Sequence, residues 1–168
     1  LPILSSRTAV FVPFTEWCRL KVDGVEVASV YPLDNGVAPL VTDGVITGPL
    51  VWAGDGTLAA LAGKTLEGAV AMLDFDAPRL TLVNVFSQGA RAVILVGSSR
   101  ASQWNVARIG EEGPVALPQV YMARETAERA GLLSAEGRIA SLDVRVTLRD
   151  AVARNLWVEI PGRTNVQF

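Results

Sequence analysis

Asp74 and Asp76 are the residues whose types and spacing most directly suggest chemistry. Two positions apart on an extended chain, they would share a face about 7 Å apart. Such a carboxylate pair can serve glycoside hydrolysis or hold a hard cation. The plainer alternative is two solvated acids at a strand end, just before the turn at Pro78. Trp104, with Asn105 beside it, sits in the polar segment SSRASQWNVARIGEEG. An exposed aromatic in a long loop is a contact candidate, and a packed loop anchor is the competing reading. Trp52 and Trp157 lie within apolar strands and read as core, while Trp17 is ambiguous.

The missing residue types exclude more than the present ones suggest. There is no histidine. That removes Ser-His-Asp and Cys-His hydrolases and His-ligated zinc, copper or iron. Cys18 is the single cysteine, so it can build neither an intrachain disulfide nor, alone, a thiolate metal site. Lys21 and Lys64 are the two lysines, and neither follows a serine at the Ser-x-x-Lys spacing. The segment GDGTLAALAGKT resembles a phosphate loop, but five positions before Gly63 stands Leu58 instead of glycine. It reads as a turn and a short helix stopped by Gly63.

Half of the 168 residues are hydrophobic, enough for one domain with a proper core. A net charge of −2 without a basic run offers no footprint for nucleic acid. No apolar stretch approaches the roughly 18–20 residues of a membrane-spanning helix. The chain lacks an initiator methionine and ends in PGRTNVQF, so it reads as a piece of a longer protein.

The elements that must position these residues centre on GAVAMLDFDAPRLTLVNVFSQGARAVILVG, residues 68–97. An apolar strand (69–75), a helix (80–88) and a second apolar strand (92–96) make a parallel βαβ unit. In the helix, Asn84, Gln88 and Arg91 form one face, with Leu82, Val83 and Phe86 turned away. Before it, residues 8–14 form a strand that Pro13 confines to an edge or an end. Asp23-Gly24 between residues 19–22 and 25–31 is a hairpin turn. Residues 45–53 form another strand, and Asp55 or Thr57 caps a helical turn ended by Gly63. After it come a strand at 117–122, a helix at 124–130 with Ala123, Ala127 and Ala130 inward, and strands at 139–148 and 153–160. The count is eight or nine strands and two main helices, an α+β (α/β mixed) fold.

The ordered set GPLVWAGDGTLAALAGKTLEGAVAMLDFD, NVFSQGARAVILVG and LPQVYMARETAERAGLL resembles a protease-associated (PA) domain. ARNLWVEIPG is similar to the junction where such a domain meets the catalytic domain of co-catalytic zinc aminopeptidases. The resemblance implies a three-layer β/β/α swivelling fold with its core at about 40–162. Residues 1–36 would be an N-terminal β elaboration, and 163–168 the start of a linker to a catalytic domain. It implies a non-catalytic accessory module that contacts protein or peptide, or shapes substrate access, beside its own catalytic domain. Catalytic, cofactor and metal residues are then expected to be none in this chain, with zinc in the parent's catalytic domain. The parent would be secreted or periplasmic. The competing expectations are a freestanding peptide- or glycan-binding β module around Trp104, and a small hydrolase built on Asp74 and Asp76.

Overall fold

The computed structural model describes residues 3–33, 42, 44–78, 80–97, 118–134, 136–158 and 160. They form an eight-stranded mixed sheet with three helices. The strands are β1 (Ile3–Val22), β2 (Val25–Val27), β3 (Val30–Pro32), β4 (Ile46–Gly54), β5 (Val70–Asp74), β6 (Ala92–Val96), β7 (Gln119–Met122) and β8 (Ile139–Val158). The helices are α1 (Leu58–Leu61), α2 (Leu80–Ser87) and α3 (Arg124–Arg129), with a 3-10 turn at Leu132–Ser134 after the last. The order across the sheet is β2-β1-β8-β4-β5-β6-β7-β3.

The chain divides into two compact units. The larger, Pro13–Thr147, contains the βαβ core. In it β5 pairs in parallel with β4 and β6, and β6 in parallel with β7. All five residues of β6 are buried, as expected for a strand covered on both faces. Its alternate residues serve two separate cores. Ile94, with Met72 of β5, packs toward Leu20 of β1 and Leu142 and Val144 of β8. Val93 and Leu95, with Ala71 and Leu73, pack toward Leu61 of α1 and Leu82 and Val85 of α2. One face of the parallel strands is thus covered by β1 and β8 together with Ala127 of α3 and Leu132 after it, and the other by α1 and α2.

β4 links the two parts of the sheet. Its first half, Ile46 to Pro49, runs antiparallel to β8. Its second half, from Leu50, runs parallel to β5. At the changeover, a Cβ on Gly48 would collide with the carbonyl oxygen of Gly68. The position therefore demands glycine for space.

β2 and β3 lie at opposite edges of the sheet, yet only Ala28 and Ser29 separate them in the chain. The sheet of this unit is therefore folded over until its edges approach, with Met72 and Ile94 inside. The sequence predicts one strand over 25–31. Ser29 instead adopts a left-handed φ of 61°, which ends β2 and redirects the chain to β7, against which β3 pairs. The hairpin at Asp23-Gly24 forms as expected, with φ values of 49° and 80° and Leu20 opposite Val27. Its Asp23 carboxylate accepts from Arg138 Nε at 2.7 Å and Ile139 N at 3.0 Å. These bonds hold the Asp23 carboxyl below its ordinary range, the arginine contributing most.

Of three further expectations, one holds in one of its alternatives and two are corrected. Pro13 does not end a strand, since β1 runs through it, and it stands at an edge instead. β2 flanks only Leu20–Val22, so beside Pro13 one edge of β1 has no strand partner among the described residues, and the missing N–H is tolerated there. Residues 139–148 and 153–160 are not separate strands, since β8 is continuous over 20 residues. No Gly or Pro interrupts it where the apolar alternation lapses at Asp150-Ala151. On α2 the buried residues are Thr81, Leu82 and Val85, while Val83 is exposed. Gln88 and Arg91 lie past the last helical residue, so the face inferred from them was rotated.

The smaller unit comprises residues 1–12 and 148–168. Its described part is the first stretch of β1 and the last of β8, and it exposes Phe11, Val152, Leu156 and Trp157.

Candidate functional site

Asp74 ends β5, and Phe75 and Asp76 already belong to a turn. The extended geometry that would align the two carboxylates therefore stops at Asp74. What meets Asp74 is a cation. Arg124, the first residue of α3, forms an ion pair with its Oδ1 through Nη2 and donates from Nε to the carbonyl of Gly97 at 3.1 Å. One guanidinium thus ties together the ends of β5, β6 and α3. Beside it the Phe75 and Tyr121 rings meet edge to face, 5.3 Å apart at 78°. Burial, with Tyr31 adding, raises the Tyr121 phenol above its ordinary range.

A carboxylate held this way is neither a free general base nor an open cation ligand. Among the described residues no group of three His, Cys, Asp or Glu is placed to hold a metal. The residues of this site therefore do not fit zinc. Asp76 is exposed, and Trp104 and Asn105 lie outside the described residues. Because the Asp74–Arg124 pair is about one-third exposed, its coupling should be modest, ~0.5–1 kcal/mol. A double-mutant cycle with Asp74→Asn and Arg124→Met, read by urea unfolding, checks this value. A coupling near zero would remove the pair as a clasp on the strand ends.

The tryptophans separate by environment. Trp52 is half-buried against the core, close to expectation. Trp157 is 47% exposed, contrary to expectation, because the buried alternation of β8 ends at Val146. Trp17 packs on the outer face of β1. Its Nε1 donates to Asp143 Oδ1 at 2.9 Å, and Arg145 lies 5.4 Å from its ring centroid. Arg145 also pairs with Glu16 at 3.0 Å. Adjacent Glu16 and Trp17 thus reach the same partner, which strict strand alternation would forbid.

A cleft of about 460 Å³ opens between β2 and α3. Val22, Val27, Ala130 and Leu132 give it apolar walls, and Glu26, Arg129 and Arg138 stand around it. Sequence reasoning missed this site. Its one linear signal was the Asp-Gly hairpin followed much later by an alanine-faced helix. Nothing in residue spacing brings Arg138 to Asp23 across 115 positions.

No family model matches the sequence, and no curated protein matches it. Solved structures do. A zinc aminopeptidase from Bacillus subtilis, BSAP, aligns over 93% of this chain and 36% of its own, at TM-score 0.60 and 17% identity. An aminopeptidase from Aneurinibacillus sp. strain AM-1 aligns over 92% of this chain and 37% of its own, at TM-score 0.58 and 18% identity. A psychrophilic subtilisin-like protease, Apa1, from the Antarctic psychrotroph Pseudoalteromonas sp. AS-11 aligns over 77% of this chain and 33% of its own, at TM-score 0.53 and 12% identity. At these identities the likeness is one of fold. This chain has the fold of roughly one-third of each of these peptidases.

Proposed function

We propose that this chain is a non-catalytic accessory domain of the PA kind, with the swivelling β/β/α fold, in a metallopeptidase-like protein. One observation carries the reading: nearly all of this chain aligns with only about a third of two aminopeptidases. The same fold within a subtilisin-like protease supports it, since a module found beside two kinds of peptidase does not itself specify the chemistry. The absence of histidine from the sequence points the same way. Zinc would then be held by the parent's catalytic domain, and the parent would act outside the cytoplasm.

In this reading the domain contacts peptide or protein, or shapes the approach to the neighbouring active site. Residues 40–162 are its core, 1–36 an added β segment and 163–168 the start of a link to the catalytic domain. Trp104, Asn105, Asp74 and Asp76 are its proposed contact residues. The hydrolase built on Asp74 and Asp76 loses its footing because Arg124 already engages Asp74.

The test is hydrolysis of aminoacyl-p-nitroanilides by the purified chain, with and without added zinc. No turnover above buffer is expected. Zinc-dependent turnover that co-purifies with the chain would overturn the proposal.

A further inference from the structure

Successive side chains of a β-strand point to opposite faces. A cleft that lies on one face of a strand is therefore lined by every second residue. The cleft between β2 and α3 is lined by Val25, Glu26, Val27 and Ala28 in succession. With Val22 of β1 also in its wall, the cleft covers the face of this hairpin and reaches round to the backbone edge of β2. That edge is open in the described structure, because β2 is the terminal strand of the sheet and pairs with β1 alone. Unpaired strand edges present N–H and C=O groups that a further strand can satisfy.

We propose that an extended peptide segment docks in this cleft as an added strand on β2, with an acidic residue facing Arg129 and Arg138. The apolar lining from Val27, Ala130 and Leu132 would take alternate side chains of such a segment. The charges favour an acid over a base. Glu26 lies directly across the ladder from Lys21, which offsets it. Asp23 engages Arg138 through Nε, one of the arginine's five N–H donors. Arg129 is exposed at the rim. An acidic residue would thus meet two guanidinium groups, and a lysine in its place would be repelled.

The inference rests on the accessory reading only in supposing that peptides come near this chain, and its failure is distinguishable. Peptidase turnover would sink the accessory reading and leave peptide docking standing; absence of docking would do the reverse.

The experiment is fluorescence anisotropy with a capped, dye-labelled peptide Ile-Asp-Val-Asp-Ile and two comparators. One carries Lys in place of Asp, and the other is N-methylated at alternate amides. The expected result is saturable binding of the acidic peptide, weakened about tenfold or more by Arg129→Glu. The Lys peptide and the N-methylated peptide should bind at least about tenfold more weakly. Arg129 is exposed, so its replacement leaves the core intact, and an unchanged circular dichroism spectrum checks that. No binding up to about 1 mM would overturn the proposal. Equal binding of the N-methylated peptide, or insensitivity to Arg129→Glu, would overturn it too. A concentration-dependent dimer without peptide binding would assign the edge to a second copy of the chain and likewise overturn it.

Discussion

Gly48→Ala should destabilise this protein by ~3 kcal/mol or more. Gly48 stands in β4 opposite Ala140 of β8, two residues before β4 begins to pair with β5. An added methyl would overlap the Gly68 carbonyl oxygen and lie 3.1 Å from its carbon and 3.4 Å from Ala69 Cα. All three atoms are backbone, so no side-chain rotation relieves the clash. The opposing backbone is itself fastened. Gly68 N donates to Gly89 O at 2.9 Å, and Ala69 N to Leu66 O at 3.0 Å.

Gly63→Ala is the appropriate comparison. Gly63 has φ 76° with nothing near its missing Cβ, so its replacement costs only backbone strain, ~1 kcal/mol. Chemical unfolding of both variants separates the two causes. A Gly48→Ala loss no larger than that of Gly63→Ala would show that β4 shifts freely relative to the turn before β5.

Cys18 should react with iodoacetamide at pH 8 at least ~10²-fold more slowly in the folded chain than in urea. Burial, with the Asp143 charge adding, pushes its thiol from 9.0 up to about 12. The difference of about three pH units leaves ~10³-fold less thiolate well below both values. The protection has a consequence for stability, and its sign follows from proton binding. Above pH 9 the unfolded chain loses the thiol proton while the folded chain keeps it, so the folded state binds more protons and stability falls as pH rises. Cys18 should therefore lower stability progressively between pH 9 and about 12. In Cys18→Ala that share of the alkaline loss should vanish. Equal alkylation rates in the folded and unfolded states would refute the burial of this thiol.

The parallel unit was legible in the sequence because each of its signals is local. β6 begins and ends at the residues expected, Ala92 and Val96, since a five-residue apolar run bounded by Gly89 and Gly97 has few other solutions. The Asp23-Gly24 turn was equally plain, as left-handed φ values in succession favour this pair. Thr57 rather than Asp55 caps α1, accepting from Ala60 N at 3.2 Å, a choice the sequence left open. The reach of β1 and β8 was not legible. Both run for 20 residues through positions that propensity alone would break, because strand pairing overrides propensity.

The candidate sites divide in the same way. Sequence alone determined which chemistries are closed to this chain: without histidine and with one cysteine, the common hydrolase and zinc sites cannot be built. It also determined that two apolar strands and a helix would form the centre. Only the tertiary structure decided what surrounds Asp74, because Arg124 lies 50 positions away and no spacing rule reaches so far. It alone placed β2 and β3 at opposite edges of one folded-over sheet and opened the cleft beside α3. Local periodicity states which face of an element is apolar; the partner that covers it, or the edge left uncovered, follows from long-range pairing.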